Sequence, residues 1–92
     1  MSDEIIDNRA RNRYELTVDG FTAHVDYARK PGVITFIHTI VPEQLGGRGI
    51  GSRLAQFALD DARRNGEKVI PQCSFIAAYI KRHAEYQDLV LA

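Results

Sequence analysis

Tryptophan is missing, cysteine occurs once, and neither sign of charge is in excess. A single cysteine excludes an internal disulfide and the stapled scaffolds of small extracellular domains, so a reducing compartment, by default the cytoplasm, is expected. Twelve basic and twelve acidic side chains cancel, which argues against nucleic-acid binding by bulk electrostatics. One cysteine and three scattered histidines show no C-x2-C or H-x3-H spacing, so no metal site is expected. No apolar run approaches the ~20 residues that span a bilayer, and no membrane role is expected. Met1-Ser2-Asp3-Glu4 lacks the basic-then-apolar order of a signal peptide. Internal repeats and low-complexity tracts are absent too.

What is present fits one small domain over residues 1–92, with residues 1–12 polar and partly flexible. The hydrophobic share of 45% beside 26% charged residues is ordinary for a globular chain. A core of this size gives modest stability, so a monomer or weak homodimer helped by a bound ligand is expected.

The most informative stretch is His38 to Gly66, read as strand, glycine-rich loop and helix. Ile50, Leu54, Phe57, Ala58 and Ala62 form an apolar stripe at helical spacing. Gly46, Gly47, Gly49 and Gly51 open that helix, leaving backbone N–H groups bare beside its positive dipole end. Such a start suits a phosphate or diphosphate. Three other origins of the glycines compete with this. A dinucleotide fingerprint needs different spacing and an acid near the second strand's end, where Pro71-Gln72 stands. A Walker loop needs Lys-Ser/Thr after its last glycine, whereas this chain has Ile50-Gly51-Ser52. Gly46-Gly47-Arg48-Gly49 matches the GXXG of a KH RNA-binding module, but that loop joins two helices. The bland alternative is tight turning and close packing alone.

Elsewhere the pattern predicts a meander. Ile5-Ile6 suggests a short edge strand and Asn8 to Arg13 a turn or frayed helical piece. Tyr14, Leu16 and Val18 alternate with polar residues, Asp19-Gly20 signals a hairpin, and Phe21 to Tyr27 returns. Lys30-Pro31-Gly32 turns into Val33–Val41, a strand apolar enough to be covered on both faces. A regular strand there puts Ile34, Phe36, His38 and Ile40 on one side. Pro42 ends it, having no N–H to donate. The helix runs to Asn65 with Gly66 at C′, and Lys68-Val69-Ile70 follows as a parallel strand stopped by Pro71. Ser74 is the expected N-cap of a second helix carrying Phe75, Ile76, Tyr79, Ile80 and His83 on one face. His24 is read as a surface strand residue, and His83 as satisfying terminal carbonyls. Leu89, Val90 and Leu91 are expected to dock the tail. The fold class is α/β (α+β), an antiparallel meander plus one parallel strand, βββαβα.

Strand, linker, glycine loop and helix resemble the acetyl-CoA motif of GNAT N-acetyltransferases. The longer strings His38-Thr39-Ile40-Val41-Pro42, Val69-Ile70-Pro71-Gln72-Cys73-Ser74-Phe75, Ala77 to His83 and Glu85-Tyr86 resemble its short single-domain (YjdJ-type) branch. Gly46 departs from the motif, standing where a basic or amide side chain is usual, with Arg48 as the substitute charge. The resemblance implies a minimal GNAT-like domain that moves an acetyl group from acetyl-CoA to an amine of a small molecule, protein lysine or N-terminus. It implies two parallel strands that splay, with main-chain groups near Ile40 and Val41 pairing the pantetheine arm and an N–H near Ile40 polarising the thioester. Backbone N–H groups from Gly46, Gly47, Arg48, Gly49, Ile50 and Gly51, with the Ser52 hydroxyl, would hold the pyrophosphate of CoA. Arg48 and Arg53 would be available as solvent-side phosphate partners, with a solvated helix face as the alternative for Arg53. Tyr79 occupies a common acid position, and the alternative is a core aromatic. Cys73, beside a helix N-terminus, could lie against the cofactor sulfur, act as acid or accept the acetyl group. The alternative is a small buried hydrophobe. His38 is a base or orienting candidate, with a hydrogen-bonded core histidine as its rival. A CoA-binding domain with little transfer is the second functional reading, and a KH-like RNA module a remote third.

Overall fold

A computed structural model describes residues 4–91. The first three residues of the expected flexible N-terminus, and Ala92 at the end of the tail, lie outside them. Five strands form one sheet in chain order: β1 (Ile6–Asn8), β2 (Arg13–Val18), β3 (Phe21–Lys30), β4 (Val33–Ile40) and β5 (Lys68–Pro71). The first four are antiparallel neighbours, and β5 joins β4 in parallel. Helix α1 (Ile50–Arg64) makes that crossover, and α2 (Ser74–Arg82) follows β5. The short edge strand at Ile6 adds one strand to the expected βββαβα order.

Local chemistry sets most boundaries. Asp19 and Gly20 both take positive φ, 52° and 81°, as a tight hairpin with the right twist requires. Gly66, at φ 69°, closes α1: its N–H donates to the Arg63 carbonyl and the Glu67 N–H to the Ala62 carbonyl. The tail docks as its apolar residues suggest. Leu89 is buried, Val90 bridges Val69 along the free edge of β5, and the Leu91 N–H donates to the Val69 carbonyl. Leu91 itself stays exposed.

Both helices pack on one face of the sheet. Tyr14, Leu16, Ala23, Val25, Ile34, Phe36 and Val69 are buried there against Leu54, Ala58, Leu59, Ala62 and Ile76. The opposite face carries no helix among the described residues. This corrects the reading of β4 as covered on both sides: Val33, Thr35 and Ile37 are half-buried and Ile40 is 49% exposed. No helix among the described residues is long and apolar enough to cross a membrane.

A second correction comes from a β-bulge. Tyr27 pairs with Phe36 but Asp26 pairs with His38, so Ile37 is an extra residue in β4. Side-chain alternation therefore shifts by one. Thr39, opposite Val25, lies on the helix face; His38, opposite Asp26, and Ile40, opposite His24, lie on the open face. His38 does not share a side with Phe36.

At the far end of the parallel strands a polar network replaces apolar packing. The Arg29 guanidinium donates to both oxygens of buried Glu67, at 2.6 and 3.2 Å, and to the Tyr14 hydroxyl at 3.1 Å. Tyr14 donates in turn to Asp61 at 2.6 Å, and Tyr27 donates to Asp7. Arg29→Ala leaves the Glu67 carboxylate buried without its partner, a loss of order ~3–5 kcal/mol, read as an early urea midpoint. Burial, reinforced by the Asp61 hydrogen bond, holds the Tyr14 phenol far above the ordinary tyrosine range, and burial with Asp7 pushes Tyr27 up to about 12. Stability tied to a raised pKa is complete below the unfolded value and fades as pH climbs through the folded one. The melting temperature should therefore fall between pH 10 and about 12, with a shallower fall in Tyr27→Phe. Identical alkaline limbs would contradict the assignment.

Candidate functional site

The loop between β4 and α1 is built to expose main-chain donors. Pro42 supplies no N–H, and a single 3-10 turn, Glu43–Leu45, folds the chain back with the Leu45 N–H donating to the Pro42 carbonyl. The Leu45 side chain, 1% exposed, anchors that turn in the core. Gly47 and Gly49 then take positive φ, 78° and 70°, and Gly49 stands at the N-cap of α1 with no side chain capping it. The first turn holds no acidic residue. Among the described residues, no acceptor takes the N–H groups of 47–52, and the first helical bond runs from the Arg53 N–H to the Gly49 carbonyl. A hollow of about 280 Å³ lies over these amides, walled by Val41, Leu45, the glycines, Ser52 and Phe75. Arg48 turns away to the β2–β3 hairpin, where its guanidinium pairs with Asp19 at 2.7 Å.

Beside it the sheet parts. The parallel ladder runs from Val33–Lys68 to Phe36–Pro71 and stops. The Gln72 N–H folds back on the Ile70 carbonyl, and the Cys73 N–H donates to the Phe36 carbonyl at 2.8 Å. Ile37 to Ile40 continue with β3 on one edge and a slot on the other. A second hollow, of about 320 Å³, fills the slot and is lined by His38, Thr39, Ile40, Cys73, Ser74 and Phe75 among others. Cys73, not Ser74, is the N-cap of α2, because its N–H and carbonyl are already committed to β4 and to the Ala77 N–H. Its side chain is 6% exposed, and its sulfur lies 3.2 Å from the Thr39 hydroxyl.

The structure thus brings His38, Ile40 and Cys73 to one hollow, and Val41, Gly46, Gly47, Gly49, Ile50, Gly51 and Ser52 to its neighbour. The Gly46 N–H expected to meet phosphate, however, is already donated to the Glu43 carbonyl at 3.0 Å. Tyr79 lines neither. It is buried, stacked on the His83 ring with centroids 3.9 Å apart, and burial with nearby Glu85 and Asp60 raises its phenol above the ordinary value. The ring nitrogen Nδ1 of His83 meets the Tyr79 carbonyl at 2.8 Å, the terminal-carbonyl role expected of it. His24 sits on the open face 3.5 Å from Asp26. Two residues escape a reading of the sequence alone: Thr39, whose contact with Cys73 depends on the bulge, and Phe75, read there only as part of a helix stripe.

A mixed sheet that parts between two parallel strands, with an uncapped helix start at the mouth of the gap, is the frame of a GNAT-type acyltransferase. The chain belongs to the GCN5-related N-acetyltransferase family, whose model matches residues 13–89. It is similar along 100% of its length to the solution NMR structure of a GCN5-like protein from Staphylococcus aureus, with 31% identity, a TM-score of 0.76 and 92% of that chain covered. The KH reading falls with this: the loop follows a strand, not a helix.

Gly49 offers a test of the loop's backbone. A Cβ there meets no atom within 4 Å, so Gly49→Ala probes the positive φ alone. A cost of ~1–2 kcal/mol is expected from left-handed backbone, measured as a shift in the urea midpoint at unchanged slope. No loss of stability would contradict the conformation.

Proposed function

We propose that this protein transfers an acetyl group from acetyl-CoA to an amine. The observation that carries the reading is the adjacency of two features: uncapped amides at residues 47–52 and a thiol-lined slot between parting strands. The loop fits a nucleotide diphosphate on chemical grounds, offering several converging N–H donors, a helix dipole and no acid in the first turn. When bound, acetyl-CoA supplies an acyl group activated as a thioester.

The chain's own residues divide the remaining work. The amides of Gly47 to Ser52 bind the diphosphate, with the Ser52 hydroxyl beside them. The unpaired edge of β4 at Ile37 to Ile40 orients the arm by strand-like hydrogen bonding and offers an N–H near Ile40 to polarise the acyl carbonyl. On the open face, His38 stands where an amine would arrive over the uncovered sheet, placed to take its proton. An alkylammonium titrates near ~10.4, so a proton must leave before attack. On the helix face, the Cys73 sulfur and Thr39 hydroxyl sit at the floor of the slot, placed to hold a proton or charge there. Arg48 reaches phosphate only by leaving Asp19. That surface pair is worth about 1 kcal/mol or less, so the exchange is inexpensive.

The uncovered sheet face favours a second reading, a CoA-binding domain with little transfer, because no described element forms a wall for the acceptor. Calorimetry with CoA, followed by thiol-release assays on an amine panel, separates the two. We expect saturable CoA binding and transfer that drops at least tenfold in Cys73→Ala while CoA affinity holds. Binding with no transfer to any amine would favour the second reading. No heat at millimolar CoA would end both.

A further inference from the structure

Phe75 is a large apolar side chain, 37% exposed, on the second residue of α2. It lines the hollow over the glycine loop and also the hollow beside Cys73. The tip of its ring lies against Gly51: a Cβ on that glycine would stand 2.8 Å from Cζ and 3.3 and 3.4 Å from the two Cε atoms. Real Cβ contacts are not that short, so an alanine there must displace the ring.

Gly51 needs this explanation, because its backbone does not supply one. It is the second residue of α1 and takes no positive φ, unlike Gly47 and Gly49. Glycine is a poorer helix former than alanine, so at an ordinary helical position it weakens the first turn. In return, the Phe75 ring lies flush against the helix start. The ring then forms the wall shared by the two hollows, between the bare amides and the thiol.

We infer that Phe75 is a positioning residue for the flexible arm of the bound thioester cofactor, and that Gly51 is glycine to seat this ring rather than to admit phosphate. The inference rests on the acetyl-CoA reading. A ligand with its diphosphate on the loop and its sulfur near Cys73 runs along the ring. The ring gives the arm's methylene and dimethyl groups an apolar surface while β4 takes its amides. Orientation of the arm, and not grip on the nucleotide, is therefore what Phe75 supplies.

The test compares CoA with 3′-phospho-ADP, the same nucleotide without the arm, by calorimetry on the full chain. Phe75→Ala should weaken CoA at least tenfold and 3′-phospho-ADP less than twofold. Gly51→Ala should weaken CoA at least fivefold in the wild-type background and less than twofold when Phe75 is already alanine. Circular dichroism melts confirm folding, and Phe75→Leu replaces Phe75→Ala in both arms if the latter is unfolded, with at least threefold loss for CoA alone. Equal loss for both ligands, unchanged CoA affinity, or a Gly51→Ala penalty that persists without the ring would overturn the inference while the acetyl-CoA reading stands. Failure of the wild-type protein to bind CoA would remove both.

Discussion

One hydrogen bond, from the Cys73 N–H to the Phe36 carbonyl, decides the shape of the site. The parallel ladder ends at Pro71 because the next main-chain donor facing β4, the Gln72 N–H, folds back on the Ile70 carbonyl. The chain turns at Gln72, and the next free donor, Cys73, is spent on the last carbonyl of the ladder. Beyond that point β4 has no partner on this edge, and a slot opens. The same bond starts α2 at Ser74, holds the Cys73 sulfur beneath Thr39, and lets Phe75 reach Gly51 across the mouth. A ladder one pair longer would move all three.

The bulge at Ile37 gives the slot two chemically different sides. With regular alternation His38 would face the helices and Thr39 the open sheet. With one extra residue the imidazole faces the uncovered side beside Asp26, and the hydroxyl meets the thiol. The groups able to handle protons thus approach from opposite faces of one strand. In the proposed reaction this separation suits a step in which an amine loses a proton on one side while a thiolate departs on the other, since one group need not serve both.

Much of this was readable from residue types. Asp19-Gly20, Gly66 and the glycine loop each carry a backbone requirement that few residues meet, and the structure places turns and helix ends there. The docked tail followed from three apolar residues in a row. The bulge was not legible, because Ile34 to Ile40 contains no glycine, proline or other local mark and its β-branched residues fall on both parities. What fixes it is the pairing with β3, a tertiary preference that no single strand reveals. The N-cap at Cys73 was missed for a related reason: serine is the better capping side chain, but the main chain of Cys73 was already held by β4. Tyr79 packs its ring against His83 and Tyr86, the core-aromatic placement that residue type and helical spacing leave open beside an acid role.

The polar network at the other end of the sheet explains how so small a domain keeps a gap open. Two parallel strands parting in a thin core would be expected to close or fray, because the slot edge of β4 forgoes ladder bonds. Here the opposite end is clamped. The Lys68 N–H donates to the Gly32 carbonyl, Arg29 grips Glu67 just before β5, and Tyr14 ties β2 to α1 through Asp61. The Val90 bridge and the Leu91 N–H hold β5 from its outer edge. With one end of the strand pair fixed on three sides, the angle at which the other end parts becomes a property of the fold. A preformed opening then costs a ligand little ordering on entry.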